Sequence, residues 1–343
     1  MYYNQIHKQK RSGGSHVRKN SLPAILAALL SVAVLASGGS ATAQDYPTRP
    51  ITLIVPFPPG GGNDSMARII ADKLSSALGQ QIVVDNRGGA GGVIGTRAAA
   101  KAAPDGYTLL LGHTGTMGIN QSLYANPGYD IRKDFAPIGL IAVMPMAFMT
   151  QPSAPYKSIA DLIAAAKKDP GKINIGSSPK GTGSHLCAEL FMASAGVQMN
   201  LIPYKGTAQS ITDLVGGHVA AACNIIPPAF GNLKGGTLRA LAVTSNKRSS
   251  HLPEVPTVAE SGLPGFEADL YYGLLAPAGT PRPIIERLNK ELLTALKNED
   301  VRQRIANDAA EPLSSTPEEH AALLDRDETK WSTLIRKLNL KID

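Results

Sequence analysis

Apolar residues along the chain come in short runs that alternate with stretches of helical periodicity. Ile51-Thr-Leu-Ile-Val55 reads as a strand; after the loop Pro56-Phe-Pro-Pro-Gly-Gly-Gly-Asn-Asp64, residues Met66, Ile69, Ile70 and Leu74 share one helical face. The unit repeats as a strand Gln81 to Val84, a loop Asp85 to Gly92 and a helix through Lys101, then a strand Thr108 to Leu111 and a loop Gly112 to Asn120. Strand runs alternating with helices predict a mostly parallel sheet covered on both faces.

A second set of units begins after Met144-Pro145. Ser158-x-x-Asp161 is a capping signature for a helix through about Lys168, and the strand Ile173 to Ile175 runs into the loop Ser177 to His185 and a helix carrying Leu186, Leu190 and Phe191. Strands at Leu201 to Tyr204, up to Cys223 and at Leu238 to Val243 follow, with a helix after Lys205-Gly-Thr207. Tyr271 to Ala276 is one more strand, and two long helices close the chain. The first takes Thr280 as cap and Pro281 as first residue; the second opens on the capping box Thr316-Pro-Glu-Glu319. Packing this tail on the first set makes a discontinuous lobe, residues 44–145 and 269–343, around a second lobe, residues 146–268, with crossovers near 145 and 268.

Composition narrows the class. The chain has 343 residues, 43% apolar and 18% charged, a globular balance too long for one core of ordinary size and too apolar for disorder. Its formal charge of +7 resembles a nucleic-acid signal, but Lys8, Lys10, Arg11, Arg18 and Lys19 lie in a leader without acids; beyond it 29 basic residues face 27 acidic ones. No broad basic face remains, and no nucleic-acid partner is expected.

The basic leader runs into an apolar stretch, Leu22 to Ala36, and the small-x-small site Ala41-Thr42-Ala43, which reads as a signal peptide over residues 1–43 cleaved near Ala43. Its about 15 apolar residues fall short of the roughly 20 that span a bilayer. Neither cysteine stands at the cleavage site, so no lipid anchor is expected. Cys187 in a helix start and Cys223 in an apolar strand are expected to be buried thiols, although export to an oxidising compartment leaves a bond between them open.

Several strand-to-helix loops cluster Gly, Ser, Thr and Asn, and in open α/β sheets such loops gather where ligands bind. Each helix start offers unpaired N–H groups and a partial positive charge to an anion. Cofactor motifs are missing: counting G-x-G-x-x-G from Gly89 puts Ile94 at the last glycine, no Gly-Lys-Ser/Thr follows the first loop, and His113, His185, His218, His251 and His320 are scattered without metal spacing. No cofactor or metal is expected. Ser184-His185 invites a hydrolase reading, but helix neighbours point about 100° apart and are badly placed to activate one another, so the chain is not expected to be an enzyme. Ser184 then reads as a helix cap or ligand contact, and His185 as a neutral pocket donor or core residue.

The chain resembles the substrate-binding receptors of tripartite tricarboxylate transporters, the Bug group of periplasmic proteins. The resemblance rests on Tyr46-Pro-x-Arg-Pro50, Pro56 to Asp64, Asp85-Asn-Arg87 with Gly89-Ala-Gly-Gly92, Ala103-Pro-Asp-Gly-Tyr-Thr-Leu-Leu110, Gly181-Thr-Gly-Ser-His-Leu186, Tyr204-Lys-Gly206, Val255-Pro-Thr-Val258, Gly273 to Gly279 and Pro317-Glu-Glu319 in order. It implies a type II periplasmic binding fold, two α/β lobes with a ligand cleft between them, closing on a small organic carboxylate that is passed to membrane permease subunits; a ligand sensor of the same fold is the alternative. Carried over, the site residues are Phe57, Gly60, Gly61, Asn63 and Asp64 in the first loop, with Asp64 read more as a cap. His113, Thr114 and Thr116 follow in the third loop, then Thr182, Gly183, Ser184 and His185 opposite, then Gly206, Thr207 and Ala208, and Asn224 after its strand. These loops hold no Arg, and Lys180 and Lys205 are their only cations. Relatives often carry an acid at the place of Asn224, a hydroxyl at Pro228, Trp-Phe at Tyr271-Tyr272 and a small or amide residue at Lys180.

Overall fold

The computed structural model describes residues 46–342; the expected signal segment lies outside the described residues. Strand β1 (Ile51–Val55) sets Ile51, Leu53 and Val55 toward one core and Ile54 toward another, so a single strand feeds both faces of its sheet. Helix α1 (Gly62–Leu78), β2 (Ile82–Asn86), α2 (Val93–Ala100) and β3 (Thr108–His113) follow as the alternation predicts. Strand β4 (Phe135–Met144) then leads through Pro145 to β5 (Met146–Thr150), which belongs to a different sheet.

The second sheet is built from β5 with α3 (Ile159–Lys168), β6 (Asn174–Ser177), α4 (Gly183–Ala195), β7 (Asn200–Pro203), α5 (Thr207–Val215), β8 (Ala221–Ile225) and β9 (Arg239–Val243). The chain returns to the first sheet with β10 (Leu270–Pro277) and ends in α6 (Arg282–Leu296), α7 (Glu299–Asn307), the short β11 (Glu311–Pro312) and α8 (Pro317–Lys337). Strand order is β11-β4-β10-β3-β1-β2 in the first sheet and β7-β6-β8-β5-β9 in the second.

The expectation of mostly parallel sheets needs correction. β10 runs antiparallel to both β3 and β4, and β5 runs antiparallel to both β8 and β9. Parallel pairs survive among the local βα units, β1 with β2 and β3, and β6 with β7 and β8. The inserted strands are those on either side of the crossings between sheets, where no βαβ crossover dictates direction.

Packing follows the alternation. One face of the first sheet is covered by α1, α6 and α7 through Met66, Ile70, Leu288, Leu292, Val301 and Ile305. The other takes Val93 and Ala99 of α2 and Leu323 and Leu324 of α8. Farther along, α8 inserts Trp331, Leu334 and Ile335 among Phe148, Leu186 and Phe191 in the core of the second sheet, so the tail helix serves both cores.

Three local details depart from the sequence reading. Helix α6 begins at Arg282 with Pro281 as its cap residue, and the Thr280 hydroxyl instead donates to the Pro277 carbonyl at 2.7 Å. The cap of α4 is Thr182, whose Oγ1 accepts from the His185 N–H at 3.4 Å, which leaves Ser184 inside the first turn. Cys187 and Cys223 are joined in a disulfide that ties α4 to β8, with Cα atoms 6.7 Å apart, rather than standing as free thiols. The box at Thr316 forms as read: its Oγ1 accepts from Glu319 N–H at 3.1 Å while Glu319 Oε2 accepts from Thr316 N–H at 2.8 Å. Among the described residues no helix is long and apolar enough to cross a membrane.

Candidate functional site

The loops at the ends of β3, β6 and β7 enclose a cavity of about 390 Å³ between the two sheets. Helices α4 and α5 both start at its wall: Thr182, Gly183 and Ser184 line it from one, Gly206 and Thr207 from the other. The first-turn N–H groups of a helix have no intrahelical acceptor, and neither helix carries an acid in its first turn. The two dipoles therefore present positive ends to one enclosed space.

From the first sheet comes His113, stacked on Phe57 with ring centroids 4.6 Å apart. Its Nδ1 accepts from the Gly115 N–H at 2.8 Å and the Thr116 N–H at 3.4 Å. Burial pulls the imidazole down to about 4. A neutral ring whose Nδ1 accepts must carry its proton on Nε2, so His113 is a fixed neutral donor. The turn that holds it needs Gly92 beside it: at φ +94, a Cβ there would lie 2.7 Å from Thr116 Cγ2 and 3.0 Å from Phe57 Cζ. The glycine-rich run thus serves close packing of the cavity wall.

Behind the helix starts lies a buried hydroxyl and amide network. Ser178 Oγ is 2.7 Å from Thr207 Oγ1 and donates to Asn224 Oδ1 at 3.2 Å. The Ser184 hydroxyl contacts Asn224 Oδ1 at 2.8 Å and the Cys223 carbonyl, and accepts from the Ser178 N–H at 3.1 Å. Asn224 Nδ2 donates to Ser210 Oγ at 2.9 Å. Asn224 is fully buried and does not line the cavity; it fixes three hydroxyl groups, two of which do.

Of the residues named from sequence, Phe57, His113, Thr182, Gly183, Ser184, Gly206 and Thr207 line this cavity. Gly60, Gly61, Asn63 and Asp64 do not. Asp64 is not the cap of α1 either, a place held by Gly61; from the first turn its carboxylate accepts from the Gly60 N–H at 2.9 Å and from Arg68 Nε at 3.0 Å, and the Arg68 guanidinium holds it below the usual range. Thr116 exchanges hydrogen bonds with His113 backbone, and the Thr114 hydroxyl accepts from the Tyr271 N–H at 2.7 Å. Ala208 contributes only its place in the first turn of α5. His185 is buried with Nδ1 unpartnered, pulled down to about 4 by burial, and forms no hydrogen bond with Ser184, so no nucleophile and base are paired.

Sequence reasoning missed Ser178, Leu123, Tyr124, Leu270 and Ile342 among the lining residues. Ser178 shares a loop with Thr182 and was within reach of the same argument. The apolar ones carry no chemical signal, and Ile342 arrives from the far end of the chain, its N–H donating to the Leu123 carbonyl at 2.9 Å.

The chain is similar over most of its length to proteins of one family. The profile of the tripartite tricarboxylate transporter family receptor matches residues 66–340. Protein BugT of Bordetella pertussis is 39% identical over 320 residues, covering 92% of this chain and 98% of that protein. A Rhodopseudomonas palustris protein solved with adipate superposes with a TM-score of 0.72 at 36% identity, covering 87% of this chain and 100% of that one. MatC from Rhodopseudomonas palustris, solved with bound malate, gives a TM-score of 0.69 at 33% identity over 84% of this chain and 100% of that one.

Proposed function

The chain belongs to the tripartite tricarboxylate transporter receptor family, and we propose that this solute-binding receptor captures a small organic carboxylate in the periplasm and delivers it to membrane permease subunits. The observation that carries the reading is the convergence of two helix starts without a first-turn acid and the neutral His113 donor on one cavity without a lining acid. A carboxylate seated there accepts from backbone N–H groups of α4 and α5, from the Thr207 hydroxyl, and from His113 Nε2. Neutral donors in an enclosed site are worth more than in water and do not require an arginine fork.

Relatives solved with adipate and malate support an organic acid as the ligand class. The basic and apolar leader and the family support export with cleavage near Ala43. Binding is expected to close the cleft, because the donors come from both sheets and neither side completes the cage alone.

Mass spectrometry of small molecules released from the denatured, purified protein tests the reading, followed by a thermal-shift screen of organic acids. A ligand at 100 times its Kd adds about 2.7 kcal/mol of stability. No shift with any acid, alongside a clear shift with a nucleotide or a metal ion, removes the proposal.

A further inference from the structure

The geometry points to Ile342 as the residue that limits the length of the ligand's carbon body: the segment after α8 folds back onto the cavity and sets this side chain in its wall, an inference that rests on the carboxylate reading above. The fold-back begins just past α8, where Asn339 takes φ +48, a left-handed conformation that Asn tolerates better than most residues. The Leu340 N–H then donates to the Ile335 carbonyl at 3.1 Å, and the Leu340 side chain is buried in the core of the second sheet. Two residues on, Ile342 pairs in parallel with Tyr124, its N–H donating to the Leu123 carbonyl at 2.9 Å. The end of the tail is thereby held against the cavity that Tyr124 and Leu123 line.

Ile342 meets the Gly181 turn there. A Cβ added to Gly181 would come within 2.9 Å of Ile342 Cδ1 and 2.6 Å of Leu123 Cδ2, and all three residues line the cavity. These positions differ in what they tolerate. Gly181 holds φ +84 and has no room for a side chain, and Leu123 is buried in the core of the second sheet. Ile342 is half-buried, lies outside the helices and the two sheets, and is fixed through its backbone and through Leu340, so its side chain changes size at less cost to a core. Gly181 stands two residues before the first residue of α4, so a carboxylate held at that helix start leaves its carbon body beside this wall. An acid too long for the cavity presses on Ile342, and overpacking of that kind is unfavourable. A smaller residue there gives the extra carbons a buried place.

Titration calorimetry on the purified protein tests this with acids graded in length: propanoate to decanoate, the matching diacids, and the series benzoate, phenylacetate and phenylpropanoate. In the series that the wild type binds, Ile342→Ala should move the tightest-binding length upward and raise affinity for the next longer acid, relative to the wild-type optimum, by about fourfold per methylene accommodated. Ile342→Trp should move the optimum toward shorter acids. A length profile that stays put in both variants, with the wild type binding, overturns the role of Ile342 and leaves the receptor reading standing. A lowered melting temperature with an unmoved profile marks a purely structural residue and overturns it as well. Binding of none of these acids by the wild type removes both readings.

Discussion

Asn224 Oδ1 lies 2.8 Å from Ser184 Oγ, behind the cavity wall and out of contact with the cavity itself. Ser184 has one proton and two acceptors before it, the Cys223 carbonyl and Asn224. The amide therefore governs where the hydroxyl protons of Ser178 and Ser184 point, and through them the polarity the ligand meets. Asn224→Ala strands Ser178, Ser184 and Ser210 without that partner, which costs about 1–3 kcal/mol in a chemical melt. Asn224→Asp keeps the shape but sets a negative charge behind the anion site, and carboxylate affinity should fall at least tenfold by calorimetry. Aspartate should weaken together with succinate, because an ammonium in the cavity does not reach residue 224; tighter aspartate binding by the variant would place this side chain in the cavity.

A buried carboxylate stands where the sheets are joined. Asp269 is buried just before β10, with Oδ1 accepting from Thr244 Oγ1 at 2.9 Å, and Thr244 Oγ1 accepts from the Met146 N–H at 2.9 Å at the start of β5. Both crossings are thus held by one side-chain chain. Burial raises Asp269 to about 8, with Glu267 and Asp327 adding to the effect and Thr244 and Lys330 opposing it. A folded pKa above the unfolded one means the folded state holds a proton the unfolded state releases. Its contribution is fully present below about pH 4 and is lost as pH rises through about 8. Asp269→Asn keeps the acceptor without the charge. The variant should gain stability over wild type by a few kcal/mol at pH 8.5 and little at pH 4, read as a flatter profile of Tm against pH; parallel profiles would remove Asp269 as the cause.

The disulfide gives a third expectation. Cys187 and Cys223 close a 36-residue separation and pin the start of α4 to β8 beside Ser184 and Asn224. Replacing both by Ala should cost about 2–4 kcal/mol in stability. Since the same tether positions the α4 donors, carboxylate affinity should fall as well, and a variant that melts lower but binds unchanged would separate the tether from the site.

What could be read from sequence was local. The caps at Ser158 and Thr316 depend on residues within one turn of each other and formed as read; the local βα units formed too, except that the loop read from Gly112 to Asn120 holds a helical segment at Gly115–Ile119. The loops before α4 and α5 were legible for the same reason: their Gly, Ser and Thr cluster within a few residues of a helix start, where they serve as caps and also leave backbone N–H groups open. β4 and β5 were not read as strands at all, and the direction of β10 was not legible, because pairing partners such as Leu274 and Gly139 are far apart in the chain. The apolar wall was hidden likewise, with Leu123 and Ile342 meeting only through the tail after α8. Asn224 reads as a ligand contact in the sequence, and its hub role depends on three serines that no spacing rule connects.

The sharpest test of the anion site is the cap of α5. Gly183, at the other helix start, is a poor choice, because any Cβ there would lie 2.5 Å from Leu270 Cδ2 and disturb the wall itself. Gly206 has no atom within 4 Å of an added Cβ and holds extended backbone at φ −175 and ψ 164, which any residue adopts. It is the cap residue of α5 and makes no side-chain cap bond. Asp is among the best caps, so Gly206→Asp should leave the melting temperature unchanged or raise it slightly, with a gain of a few tenths of a kcal/mol. The same carboxylate takes the first-turn N–H groups that the ligand would use and repels a second anion from the cavity. Carboxylate affinity should drop by about 100-fold or more in calorimetry, while Gly206→Asn, a neutral cap of the same shape, should lose markedly less. Equal losses in the two variants would trace the effect to occupancy of the N–H groups rather than charge. Full affinity in Gly206→Asp would mean that the α5 terminus does not hold the anion.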